Sequence, residues 1–118
     1  MVLTTIRFVV PPDKRDTFLR VLRSLLEPTR VERGCLDFGL YQDIQDENTF
    51  ILIEKWEAVP DLMSHLRTDG FQRVLWVMDL ASEAPVIEYH TVQTSEGMEL
   101  ISSARSGESS RNVPRGTE

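Results

Sequence analysis

The chain has 118 residues, 41% hydrophobic and 27% charged, with a formal net charge of −6, a size that fits one domain. Its acidic balance gives no basic footprint for nucleic acid or anionic lipid, and no run approaches the ~20 apolar residues of a membrane span. A single cysteine, Cys35, excludes an internal disulfide and fits a reducing compartment, so a cytoplasmic location is expected.

The N-terminal MVLTTIRFVV has an arginine inside its apolar run and no cleavage-type site, so it reads as a strand and not a signal peptide. The strand covers Leu3 to Val10 and is closed by Pro11-Pro12, which cannot donate to a ladder. Asp13 is expected to cap the following helix. In that helix Phe18, Leu22, Leu25 and Leu26 recur at helical spacing. Pro28 is expected to bend or end it, and Gly34 to take a left-handed cap.

Leu36, Phe38 and Leu40 then alternate with Asp37, Gly39 and Tyr41, the period of a half-buried strand. A polar turn over residues 43–48 leads to TFILIEKW, Thr49 to Trp56. Phe50, Leu52, Glu54 and Trp56 share one face of this second strand, and Ile51, Ile53 and Lys55 the other. A strand apolar on both faces must be covered on both. One cover is the chain's own helices; the other is expected to be a second subunit meeting Ile51 and Ile53. A domain of this size buries only about two-thirds of its unfolded surface, which also favours an oligomer.

Pro60 and Asp61 suit a helix start, and Leu62, Met63 and Leu66 form its apolar stripe with His65 at the edge. Thr68-Asp69-Gly70 breaks this helix. Phe71, Val74, Leu75 and Met78 resume the period, leaving Trp76 off the stripe. Val86 to Val92 is the last strand, and residues 96–105 a possible short C-terminal helix. The order βαββαβ is that of a ferredoxin-like sandwich, an α+β fold with an antiparallel sheet. Residues 1–105 make the domain; residues 106–118, with Val113 as the one aliphatic side chain, make a flexible polar tail.

The segment EKWEAVPDLMSHLRTDGF resembles the antibiotic biosynthesis monooxygenase-like family of small dimeric α+β barrels. The resemblance rests on Glu54 two residues before Trp56, and on His65 nine residues after it in a Leu-x-x-His-Leu helix. Gly34-Cys35-Leu36, Leu40-Tyr41-Gln42-Asp43 and Gly97-Met98-Glu99-Leu100-Ile101 also match. It implies a dimeric α+β barrel, a homodimer formed through the sheet face. Some members oxidise quinols, phenols or anthrones with molecular oxygen and no metal or flavin. The resemblance therefore implies a cofactor-independent monooxygenase with a small aromatic substrate. Leu52 stands where some members place a substrate-binding Asn.

The residues themselves give no metal-ligand cluster, no phosphate loop and no Gly-x-Ser-x-Gly elbow. His65 is the natural base, since an unperturbed imidazole takes a proton near neutral pH. Trp56 can stack on a planar substrate, and Glu54 can hold His65 or a substrate hydroxyl. An apolar cavity lined by Leu52, Trp56, His65 and Phe71 is expected beside these groups, with Tyr41 and Arg73 at its rim. The alternative is a non-catalytic dimeric module that binds or senses a small molecule in the same pocket. His65 and Glu54 then have purely structural partners.

Overall fold

The computed structural model describes residues 1–107. Four strands form one antiparallel sheet: β1 (Val2–Val9), β2 (Cys35–Gln42), β3 (Thr49–Trp56) and β4 (Val86–Thr91), in the order β2-β3-β1-β4. Helices α1 (Arg15–Arg30), α2 (Val59–Leu66) and α3 (Asp69–Met78) lie between strands in sequence, and α4 (Met98–Arg105) follows β4. This is the split βαβ arrangement read from the sequence, with the hairpin β2–β3 and the outer crossings where the periodicity put them. The polar tail lies, from residue 108 on, outside the described residues.

Alternation fixes the two faces of the sheet. Val2, Thr4, Ile6 and Phe8 of β1 stand opposite Trp56, Glu54, Leu52 and Phe50 of β3. All eight are buried. The core beneath the helices joins this face to Phe18, Leu22 and Leu25 of α1 and to Phe71, Val74 and Val77 of α3. Val77, not Leu75, joins Phe71 and Val74 in the buried stripe of α3, and Leu75 is exposed. Ile51, Ile53 and Lys55 lie on the opposite face, only partly covered within one chain.

Several local expectations need correction. Asp13 caps nothing: residues Pro12–Lys14 form a short 3₁₀ turn, and α1 starts at Arg15 without a side-chain cap. Pro28 does not end α1, which continues to Arg30. At that position it removes one backbone bond in the last turn only. Beyond it Thr29 is buried, and the Arg30 Nε donates to the Phe38 carbonyl at 2.9 Å, tying the helix end to β2. Leu36 is exposed, because a bulge between Cys35 and Asp37 shifts the alternation. Thr68 supplies the cap that starts α3, its Oγ1 accepting from the Phe71 N–H at 3.1 Å.

The turn from α1 to β2 packs on the start of α2. Gly34 sits at φ +79°, in the left-handed region. Its carbonyl accepts from the Glu57 N–H at 2.8 Å, and a Cβ there would overlap the Asp61 side chain at the start of α2. Conformation and space both demand glycine. Gly34→Ala is therefore expected to lower the unfolding free energy by about 2 kcal/mol or more. Urea denaturation measures it; a loss below about 0.5 kcal/mol, within the ordinary surface range, would mean that the turn relaxes freely.

Candidate functional site

Glu54 and Trp56 reach the same interior because they are two apart on β3, and β3 is flanked by strands on both sides. α2 crosses over that end of the strand, with Leu62 and His65 turned inward. The result is a carboxylate and an imidazole placed inside an apolar core. Glu54 is 1% exposed and His65 2%. The Trp56 indole N–H donates to Glu54 Oε1 at 2.9 Å, and His65 Nε2 lies 3.7 Å from the same oxygen. Trp56 stacks on His65 with ring centroids 4.6 Å apart and planes 30° from parallel. Phe38 and Phe71 meet the imidazole edge-on, at 5.9 and 5.5 Å.

The other ring nitrogen has a partner that the sequence reading missed. His65 Nδ1 lies 3.0 Å from Glu32 Oε1, across 33 residues of chain. Glu32 belongs to the turn after α1, and nothing in local periodicity points from it to a helix so far downstream. Its position beside the Gly34 turn is the one available clue, since that turn packs on the start of α2.

Two polar atoms of this group stay without a hydrogen-bond partner: Glu54 Oε2 and His65 Nε2. A third, Thr4 Oγ1, is equally buried and unpartnered. Thr4 stands opposite Glu54 in register on β1, so the two side chains share one face as cross-strand neighbours. Next along the sheet, Tyr89 of β4 stands opposite Thr4 and is 48% exposed. The group thus runs from the core toward the bare inner face of β4. Burial raises the Glu54 carboxyl above its ordinary value, against the Trp56 hydrogen bond and the neighbouring His65, which lower it. Tyr89 is raised as well, first by burial and then by the charge of Glu54.

The structure gathers Leu52, Glu54, Trp56, His65 and Phe71 in one place, but not around an open cavity. Leu52 and Trp56 have 0% exposure, so no void large enough for water touches either. The space expected for a ligand is filled by the side chains themselves, with Trp56 stacked on His65 rather than left free for a substrate. Tyr41 is elsewhere. It stands opposite Ile51 on the other face of the sheet, and a Cβ on Gly39 would meet its hydroxyl at 2.8 Å. Arg73 also faces away, lining a groove of about 420 Å³ with Val21, Ser24, Gln72 and Trp76. His90 is exposed, 3.6 Å from Glu88. Among the described residues no group of three or more His, Cys, Asp or Glu is placed to hold a metal ion, and no helix is long and apolar enough to cross a membrane.

A four-stranded split βαβ sheet with a buried carboxylate, imidazole and indole under its second helix defines a recognisable class of small α+β proteins. The profile of the antibiotic biosynthesis monooxygenase family matches residues 1–75, and the chain belongs to that family. YcnE of Bacillus subtilis (strain 168), named as a candidate monooxygenase, is 36% identical over 63 residues, 53% of this chain and 66% of that protein. Rv0793 of Mycobacterium tuberculosis, named likewise, is 32% identical over 59 residues, 50% of this chain and 57% of its own length. The chain thus spans less than two-thirds of these curated relatives. A solved structure described as an antibiotic biosynthesis monooxygenase superposes with a TM-score of 0.73 at 25% identity, covering 80% of this chain and 100% of its own.

The raised Glu54 sets a pH dependence with a definite sign. A carboxyl raised in the folded state stabilises the fold fully below its unfolded value, near 4.5. That stability is lost as pH rises through the higher folded value. Glu54→Gln, which never ionises, should remove this loss. The variant is expected to gain stability relative to the parent between pH 4.5 and neutral, as measured by urea unfolding across that range. A difference that stays constant with pH would mean that Glu54 ionises as easily folded as unfolded.

Proposed function

We propose that this chain is a cofactor-independent monooxygenase that oxidises a small electron-rich aromatic, a quinol, phenol or anthrone-like molecule, with molecular oxygen, and that it works as a homodimer. The supporting observation is the gathering of three buried, unpartnered polar atoms, Glu54 Oε2, His65 Nε2 and Thr4 Oγ1, on one face of the sheet. Each such atom costs about 1–3 kcal/mol when left unpaired. Grouped together, they have the form of a polar site waiting for a hydroxyl or carbonyl.

In this reading the packing that closes over His65 in the single chain opens beside β4, where Ile87 and Tyr89 are exposed, and a substrate hydroxyl entering there reaches His65 Nε2. The imidazole takes that proton, leaving the electron pair on the substrate oxygen. Glu54, held toward its neutral form by burial, and Thr4 then hydrogen-bond the anion, which reduces oxygen. For an anthrone-like methylene, CH₂ becomes C=O and the second oxygen atom leaves as water. The low-dielectric surroundings strengthen each of these contacts.

The dimer serves the opposite face. Ile51 and Ile53 lie there half-covered, and a second copy of the sheet would bury them. Ile53→Lys is expected to split the dimer, since an unpaired charge is costly to bury. Sedimentation at micromolar concentration tests it; a parent chain that already sediments as a monomer would end this part of the reading.

The closed packing around Leu52 and Trp56 favours a second reading, a non-catalytic dimeric module that binds or senses a small molecule. Oxygen uptake with a quinol and anthrone panel separates the two. Under the oxygenase reading, His65→Ala lowers turnover by roughly a hundredfold or more and leaves the dimer intact. Uptake indistinguishable from the uncatalysed rate for the parent chain would leave the binding module standing.

A further inference from the structure

A buried base has to be oriented and has to exchange its proton with water. His65 is 2% exposed and Glu54 1%, so neither meets solvent directly. The side chain of Glu32, 3.0 Å from His65 Nδ1, is 25% exposed. It is the member of this trio that touches both the ring and water.

The mount of Glu32 is rigid. Its backbone N–H donates to the Thr29 carbonyl at 3.0 Å and its carbonyl accepts from the Cys35 N–H at 3.1 Å. The same turn is tied to β2 through Arg30 and to the residue after β3 through Gly34. A carboxylate can only accept, so the nitrogen facing it carries the hydrogen. In the neutral ring Nε2 then keeps its lone pair, 3.7 Å from Glu54 Oε1, and Nε2, Glu54 Oε2 and Thr4 Oγ1 are all buried without partners.

We propose that Glu32 is the positioning residue of His65, fixing the ring as the Nδ1–H tautomer with Nε2 free, and that it relays the proton taken up by the ring to solvent. The relay rests on the oxygenase reading above; the positioning does not. When the substrate O–H bond breaks, an N–H bond forms at Nε2. The Nδ1–H bond then breaks as an O–H bond forms on Glu32, which gives its proton to water. The ring returns to its starting tautomer when Nε2 protonates the reduced oxygen and Nδ1 takes a proton back through Glu32. Atoms and charge balance with molecular oxygen as the oxidant.

Two measurements test the two halves. Two-bond ¹H–¹⁵N correlation spectra report which ring nitrogen carries hydrogen, and the chain has two histidines, so His90 serves as an exposed internal reference. The parent chain should show His65 as Nδ1–H. Glu32→Ala should turn it to Nε2–H, donating toward Glu54. A parent in the Nε2–H form, or a tautomer unchanged in Glu32→Ala, overturns the positioning.

For the relay, Glu32→Ala and the equal-sized Glu32→Gln should each lower kcat about tenfold or more with KM nearly unchanged, on whichever quinol or anthrone the parent oxidises. Added formate, a small carboxylate that fits the vacated space, should restore kcat in Glu32→Ala. Failure of formate to restore it, or a Glu32→Gln variant as fast as the parent, overturns the relay. If the parent oxidises none of the panel, the relay falls with the oxygenase reading, and the spectra alone still decide the positioning.

Discussion

Everything at this site follows from placing a carboxylate inside an apolar core. Glu54 is buried because β3 is flanked on both sides and its inner face lies under helices. The chain compensates it with what is in reach. The indole N–H of Trp56 supplies one hydrogen bond at 2.9 Å, and His65 supplies a ring 3.7 Å away. One oxygen remains unpartnered. An apolar side chain of similar volume would cost less in that position. A group so expensive to bury, with its compensation left incomplete, is where chemistry is to be sought rather than stability.

That placement depends on a chain of backbone contacts running well outside the site. α2 brings in His65, and the start of α2 is located by Asp61 packed against Gly34. Gly34 in turn belongs to the turn that carries Glu32, and this turn is anchored by Arg30 on the Phe38 carbonyl. The end of α1, the bulged start of β2 and the start of α2 are therefore one mechanical unit. Both nitrogens of the imidazole are aimed by it, one at Glu32 and the other at Glu54.

The strands were legible because alternation is a local property. Reading Phe50, Leu52, Glu54 and Trp56 as one face required nothing but the period of two, and the strand register bears it out. The same rule placed Ile51 and Ile53 on the other face. It failed where geometry departs from the period, as at the bulge that turns Leu36 outward. α1 runs two residues past Pro28, where a tertiary anchor, Arg30 on the Phe38 carbonyl, accompanies the one missing backbone bond. The family motif located Glu54, Trp56 and His65 but not the density of packing between them. Periodicity specifies which way a side chain points and says nothing about whether the volume ahead of it is empty. Glu32, Thr4 and Tyr89 escaped notice for a related reason: each joins the site through strand pairing or a turn, contacts distant in sequence that leave no local pattern.

The closed packing decides what Trp56 can do. An indole at the end of a strand beside an imidazole reads as a platform for a planar ligand, yet its plane is already occupied. With Trp56 4.6 Å from His65, and with Phe38 and Phe71 edge-on to the same ring, the imidazole is held by aromatic groups on one face and at its margins. Nδ1 is taken by Glu32. What remains unpartnered is the Nε2 corner, in the plane of the ring, beside Glu54. With the ring in the proposed Nδ1–H form, a ligand arriving there would meet a lone pair and not a π-face, which is the approach that proton transfer needs and stacking does not. Trp56 packs on the imidazole and holds Glu54 through its N–H. Under the proposed oxygenase reading, recognition of the substrate would fall to the surface next to it, where β4 leaves Ile87 and Tyr89 exposed.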